Sequence, residues 1–344
     1  MSSRSDPDAA AAGLPLADRL AGALLGQALG DALGFVVEAE PPDVAAGYVR
    51  DWLRAGRAGD RAHPFFSFGQ YSDDTQLARE LLLSLRDAGG WDPAAFARRV
   101  AALFAAGRDV GAGAGTRGAA LRLLAGASWR EAGTPAPYAG NGSAMRVAAL
   151  GVLYGASPAA LRQAAVEQSR VTHQDPRCAA AAVAIAGAAA LAGRPGPVVR
   201  VHFLEQLSVW VEEVDRETAD VVRGLERWAD LPPDEAARHV EAVGLEPARQ
   251  DTWRGISAFV IPSVAWSLYA FLRSPDDWWA TVCTAIEVGG DTDTMAAMAG
   301  AISGARLGPG ALPAGLVGRV NDQGAWNAEE LSALARECAR YAAG

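Results

Sequence analysis

The sequence predicts an all-α protein, and three observations carry that expectation. Apolar residues recur at three- and four-residue spacing along most of the chain. No segment sustains the period-two alternation of a half-buried strand. The one Asn-Gly pair, Asn141-Gly142, precedes a helix-like run rather than joining two β-branched ones. Taken in order, Leu16–Val37 reads as a long helix of Leu, Ala and Gly, small enough for close contact with neighbours. Ser72–Leu85 opens on Ser-Asp-Asp and continues into an apolar face at Leu77, Leu81, Leu82 and Leu85. Asp92–Ala106, Ser143–Leu153, Pro158–Val171 and Pro176–Ala192 follow the same logic, several opened by Asp, Ser or Pro and closed by Gly. Val198–Val214, Ser257–Phe271, Pro275–Val288, Asp293–Arg306 and Ala328–Tyr341 complete the set. Loops rich in Gly or Pro fall at Arg57–Gln70, Gly107–Gly115, Gly133–Gly142 and Gly308–Gly315. No repeat of fixed period is present.

One domain is expected over residues 15–344, after a polar tail, residues 1–14, that reads as disordered. The segment from Arg194 to Arg254 is more charged and less patterned, and reads as a variable insertion or lid. Half of the 344 residues are apolar, ample for a buried core. The net charge is −9, and all 31 basic residues are scattered arginines, which argues against a nucleic-acid partner. The tail lacks the apolar stretch of a signal peptide. The most apolar run, Cys178–Gly193, falls short of the ~20 residues of a membrane span, so no membrane partner is expected. Cys178, Cys283 and Cys338 share no CxxC spacing, so a zinc site or disulfide framework is not expected and a reducing, cytoplasmic setting is.

Two acidic clusters stand out, Ser72-Asp73-Asp74-Thr75-Gln76 and Gly289-Gly290-Asp291-Thr292-Asp293-Thr294, each opening a helix. Ser, Asp and Thr cap helices, and acids in a first turn complement the helix dipole. Two carboxylates at each start are more than capping needs. If the two starts face each other, four carboxylates converge, and like charges that close require cations or protons. An all-oxygen donor set favours Mg²⁺, Mn²⁺ or Ca²⁺ over zinc, and four carboxylates balance two divalent ions.

Beyond these clusters the sequence resembles the ADP-ribosylglycohydrolases, a family that includes dinitrogenase-reductase-activating glycohydrolase and the ADP-ribosyl-acceptor hydrolases. The resemblance rests on five ordered blocks. Gly22-Ala23-Leu24-Leu25-Gly26 leads through Gly30-Asp31-Ala32-Leu33-Gly34 to Glu38. Ser72-Asp73-Asp74-Thr75, Gly140–Arg146, Thr172-His173 and Gly289–Thr294 follow. It implies that Ser72, Asp73, Asp74, Asp291, Asp293 and Thr294 ligate two divalent cations, Mg²⁺ or Mn²⁺. Ser72 departs from the family's frequent Thr but keeps the hydroxyl. The resemblance also implies that Glu38 assists the reaction near the metals. Asn141, Gly142, Ser143 and Arg146 would line the ADP-ribose cleft, with His173 at its border. Gly111–Thr116 resembles a second phosphate-side loop, although it reads as a flexible connector.

The implied reaction removes ADP-ribose from an ADP-ribosylated protein or other acceptor through an oxocarbenium-like distal ribose, releasing ADP-ribose. Asp73, Asp74 or Glu38 would move the proton, and Arg146 would add positive charge for the diphosphate. Two rivals stand beside this reading: an inactive ADP-ribose-binding or structural member of the family, and a two-metal phosphoesterase.

Overall fold

The computed structural model describes residues 13–244 and 253–342. The tail expected to be disordered falls, up to residue 12, outside the described residues, as do positions 245–252 of the variable segment. The described residues form sixteen α-helices linked by short 3-10 and π turns, with isolated β-bridges and no sheet. In chain order they are α1 (Leu16–Gly34), α2 (Pro42–Tyr48), α3 (Asp73–Ala88), α4 (Pro93–Ala105), α5 (Ala114–Leu124), α6 (Ala148–Tyr154), α7 (Pro158–Thr172) and α8 (Pro176–Ala192). There follow α9 (Arg200–Glu212), α10 (Arg216–Gly224), α11 (Pro233–Val240), α12 (Val260–Arg273), α13 (Trp278–Ile286), α14 (Thr292–Leu307), α15 (Ala314–Val317) and α16 (Ala328–Cys338).

The centre of the molecule is the pair α1 and α14. Gly22, Gly26, Gly30 and Gly34 recur every fourth residue and so line one face of α1. A Cβ on each would lie inside contact distance of the backbone oxygen of Gly304, Gly300, Ala296 and Thr292 respectively. One set of partners descends as the other ascends, so the helices run antiparallel with their backbones touching. Each glycine costs about 1 kcal/mol of helix propensity relative to Ala. The close approach it permits buries every residue of α1 from Leu20 onward. The Trp278 indole donates to Gly300 O at 3.0 Å and closes the seam from the side. For the site, the consequence is positional: the C-terminal end of α1 is brought to the N-terminal end of α14.

Helices α3, α6 and α16 pack on α1, while α8, α12 and α13 pack on α14. Leu16–Val37 is long and apolar enough to cross a membrane by composition, yet the whole of its most apolar window is buried inside the protein. Within the described part of the segment from 194 to 254, α9 and α10 pack on α8, and α11 on α12. Three expectations shift. The first helix ends at Gly34 and passes into a 3-10 turn, Phe35–Val37. The helix expected from Ser143 begins only at Ala148, after a 3-10 turn at Asn141–Ser143. There the carbonyls that an α-helix would use accept side chains instead: Gly142 O takes Arg146 Nη1 at 2.9 Å and Ser143 O takes Gln168 Nε2 at 2.8 Å. The connector expected through Gly115 is helical from Ala114.

Candidate active site

Helix α3 opens on Ser72, whose hydroxyl accepts from Asp74 N at 3.3 Å and donates to Asp74 Oδ2 at 3.0 Å. A second cap arrives from α1. The buried Asp31 carboxylate accepts from Ser72 N at 2.8 Å, Thr75 N at 3.1 Å and the Thr75 hydroxyl at 2.6 Å. With these orphan amides met by Ser72 and Asp31, the carboxylates of Asp73 and Asp74 are left free of capping duty. The Gln27 side chain, one turn before Asp31 on α1, donates to Asp74 O at 2.9 Å and pins the same turn.

The start of α14 is fixed by two glycines at positive φ, Gly289 at +73° and Gly290 at +84°. Such angles strain an L-residue, and a Cβ on Gly290 would strike the backbone of Ile256. Gly290 O accepts from Ala39 N at 2.8 Å, Gly290 N donates to Glu40 O at 2.9 Å, and Asp291 N donates to Ile256 O at 2.8 Å. The segment carrying Glu38 is thereby bonded to the segment carrying Asp291. Glu38, Asp291 and Asp293 each present a carboxylate oxygen, and these oxygens lie within 4.8 Å of one another. The Thr294 hydroxyl donates to Asp74 Oδ2 at 3.3 Å, which ties the two acidic helix starts together. Asn141 Nδ2 donates to Asp291 Oδ2 and to Ser263 Oγ.

Burial and mutual repulsion act in the same direction on this cluster. Burial first, then Asp291 and Asp31, hold the Glu38 carboxyl up at about 7. Burial lifts Asp31 to about 6 against its own hydrogen bonds. Asp73, Asp74 and Asp293 are pushed well above the ordinary range by burial and then by neighbouring carboxylates. Asp291 is also raised by burial, opposed by its bond from Asn141. Asp74 Oδ1 is buried with no hydrogen-bond partner. An orphaned carboxylate oxygen among raised acids is what an oxygen-preferring cation would satisfy, so the donor set fits a divalent ion.

A cavity of about 190 Å³ opens over the cluster. Glu38, Asp73, Asp74, Asp291, Asp293 and Thr294 line its floor, with Asn141, Gly142 and His173 on one wall. Ser72 lies behind Asp74 and reaches the floor through the bond to that carboxylate. Two expected cleft residues sit elsewhere. The Ser143 hydroxyl donates to Cys178 O at 3.2 Å and accepts from Ser169 Oγ at 3.0 Å, beneath the loop. The Arg146 guanidinium is fully buried and spends its donors on Gln168 Oε1, Gln168 O, Gly142 O and the Thr172 hydroxyl. It supports the cleft loop from behind instead of meeting a ligand. Burial lowers it to about 9, opposed by Asp73. His173 is neutral, held down at about 3 by burial and then by Arg146. Its Nδ1 pairs with the Thr172 hydroxyl at 2.9 Å.

Gly111, Gly113, Gly115 and Thr116 also line the cavity, Gly115 and Thr116 lying against His173 and Gly142, so the glycine run read as a connector is part of the cleft. Sequence reasoning also missed Asp31, Tyr138 and Trp253. The signal for Asp31 was present, since it is the one acid among the buried residues of the apolar helix Leu16–Gly34. Tyr138 and Trp253 line the cavity from loops that carry no pattern of their own.

The fold and this cluster define an all-α protein organised around a carboxylate-floored, glycine-walled cleft. The chain belongs to the ADP-ribosylglycohydrolase family, whose model matches residues 13–343. It is similar to ADP-ribosylhydrolase ARH3 of Bos taurus, 32% identical over 267 residues that span 71% of this chain and 72% of that protein. It is similar to the ADP-ribosyl-[dinitrogen reductase] glycohydrolase of Rhodospirillum rubrum, 28% identical over 88% of this chain and 90% of that one. Among solved structures, an ADP-ribosylglycohydrolase-related protein complex superposes with a TM-score of 0.69 at 28% identity, covering 95% of this chain and 98% of that chain.

Proposed function

We propose that the protein hydrolyses the glycosidic bond between ADP-ribose and a modified acceptor, a protein or other ADP-ribosylated molecule, releasing ADP-ribose. The observation that carries this reading is the meeting of two acidic helix starts and Glu38 on the floor of one cavity, with Asp74 Oδ1 left unpaired. Ser72, Asp73, Asp74, Asp291, Asp293 and Thr294 would hold two divalent cations, Mg²⁺ or Mn²⁺. These would supply charge neutralisation and Lewis acidity toward the ribose hydroxyls and a water.

The chain's own residues do the rest. Among the candidate proton carriers, Glu38 ends a 3-10 turn, lies outside both acidic helix starts, and has its carboxyl raised to about 7 by burial. It takes a proton from water or gives one to the leaving group. Asn141 holds Asp291 in place through its side-chain amide. The cavity is smaller than the ~300 Å³ of a typical ligand pocket. It therefore takes the distal ribose, and the diphosphate lies further out along Gly111–Gly115 and Gly140–Gly142. Those glycines let backbone amides approach an anion, and the start of α5 adds its dipole. His173, neutral at physiological pH, borders that wall without adding charge. A cytoplasmic setting accords with three free, buried cysteines.

The test is product analysis. The protein with Mg²⁺ or Mn²⁺ is incubated with ADP-ribosylated peptides and small acceptors, and products are identified by mass. Free ADP-ribose supports the reading. AMP would establish a phosphoesterase instead, and unchanged substrate across the panel would leave a binding protein.

A further inference from the structure

We infer that Gln76 and Asp322 are positioning residues for the cation site, and that the C-terminal loop around Asn321–Trp326, outside the cleft itself, holds the first turn of α3 in place. The inference rests on the metal reading above. Gln76 lies on α3 two residues beyond Asp74, fully buried. Its carboxamide is saturated. Oε1 accepts from Val110 N at 3.0 Å, and Nε2 donates to Arg108 O at 2.9 Å and to Asp322 Oδ1 at 2.9 Å. One side chain thus clamps the backbone of Arg108–Val110 to the first turn of α3. Val110 O in turn accepts from Asp73 N at 2.7 Å. The next residue, Gly111 at φ +81°, begins the glycine wall of the cleft. The amide of Asp73 and the start of the glycine run are therefore both fixed through Val110.

Asp322 fixes that clamp from the far end of the chain. It is buried and also accepts from Arg79 Nη1 at 2.7 Å. Its own backbone closes a tight turn, pairing with Ala325 in both directions at 2.7 and 2.9 Å. Flanking bonds stitch this loop to the strand of chain that enters α3. Asn321 N donates to Gly69 O at 2.8 Å, Tyr71 N donates to Asn321 O, Gln323 N donates to Gln70 Oε1 at 2.7 Å, and the Tyr71 hydroxyl donates to Trp326 O at 3.0 Å. These bonds all converge on the residues immediately before Ser72-Asp73-Asp74. A loop serving stability alone has no need to choose that point. The geometry sets the direction of α3's first turn relative to α14, which decides whether Asp73 and Asp74 reach the same ion as Asp291 and Asp293.

The test is a cycle of Gln76→Glu, Asp322→Asn and the double variant. Gln76→Glu removes the donor and sets a second carboxylate against Asp322. Asp322→Asn removes the charge that Arg79 and Gln76 share. The double variant restores one carboxylate and one amide at the contact. Mn²⁺ affinity is read by calorimetry, ADP-ribose affinity in the presence of Mn²⁺, and melting of the metal-free proteins. Each single change should weaken Mn²⁺ binding by about tenfold, in line with the loss of a residue that orients metal ligands. The double variant should bind Mn²⁺ more tightly than Gln76→Glu alone, a coupling that independent losses cannot produce, although Arg108 O, left without its donor, keeps it below the unchanged protein. If the singles lower only the melting temperature and keep Mn²⁺ affinity within twofold, the residues are structural and the inference fails. Additive losses without recovery defeat it too. Should Asp322→Asn fail to fold, Gln76→Glu and the double variant still decide it. Absence of Mn²⁺ binding by the unchanged protein would instead overturn the metal reading, and this inference with it.

Discussion

Metal-free protein should melt lower as the pH rises from about 4.5 to about 7, and a divalent cation should reverse the trend. The Glu38 carboxyl is raised to about 7 and that of Asp31 to about 6, both mainly by burial. Asp73, Asp74 and Asp293 are raised as well, by burial first and then by neighbouring carboxylates. Over that window the native state holds protons that the unfolded chain has released. Stability then falls with pH, by about 1.4 kcal/mol per unit for each carboxyl that stays protonated only in the native state. It is fully present below the unfolded value and lost as pH climbs through the folded one. An unfolding entropy near 2.1 cal/mol/K per residue gives about 0.7 kcal/mol/K for 344 residues. One such carboxyl therefore lowers the midpoint by roughly 2 °C per pH unit. Mn²⁺ at a hundred times its dissociation constant adds about 2.7 kcal/mol, or roughly 4 °C per ion. Because the ion must displace protons, that gain should shrink toward pH 5. Calorimetric melts at pH 5, 6, 7 and 8, with EDTA or Mn²⁺, provide the measurement. A metal-free midpoint that rises from pH 5 to 7, or an Mn²⁺ shift larger at pH 5 than at pH 7.5, would refute the reasoning.

Asp73→Asn, Asp74→Asn, Asp291→Asn and Asp293→Asn should each cut ADP-ribose release by a hundredfold or more, on the order expected for a lost metal ligand, while the metal-free proteins melt no lower. Loss of about 1 kcal/mol with normal turnover would return these residues to capping. Arg146→Ala should lower the melting point by several degrees, because it leaves Gly142 O and Gln168 buried without donors. Its affinity for ADP-ribose, measured well below the melt, should change less than that of His173→Ala, and the reverse order would place Arg146 on the ligand. Gly30→Ala should destabilise by roughly 1–3 kcal/mol, since its Cβ meets the Ala296 backbone rather than a movable side chain. Equal stability in a denaturant melt would show that α1 and α14 can separate freely.

Much of this architecture was legible because periodicity is local. Ser72 and Asp92 cap helices where the sequence places their starts, the helix expected from Pro158 begins there, and Pro176–Ala192 has the expected bounds. What escaped was set by distant partners. Asp31 takes its role from amides 41 and 44 residues away. Asp322 meets Gln76 across 246 residues. The family resemblance puts Arg146 along the cleft, but its direction depends on Gln168 and Thr172 of α7. Helices α2, α10, α11 and α15 are short, from four to nine residues, so they show too few turns for a period to register.

The charge gathered at and behind the cleft floor bears on the proposal of two cations. Glu38, Asp31, Asp73, Asp74, Asp291 and Asp293 bring six negative charges when all are ionised. The N-termini of α3 and α14 both face the cluster, and each contributes about half a positive charge. Arg146 adds one more through its field on Asp73. These fixed sources supply about two positive charges and leave about four unbalanced. In the metal-free protein protons fill that gap, because the carboxyls are raised by burial first and then by one another. A single divalent ion leaves about two charges over, enough to keep Glu38 and Asp31 protonated near neutrality. A second ion closes the count and frees Glu38 to exchange a proton with substrate. The proposed pair of cations is therefore tied to the proposed role of Glu38, and a stoichiometry of one would weaken both readings together.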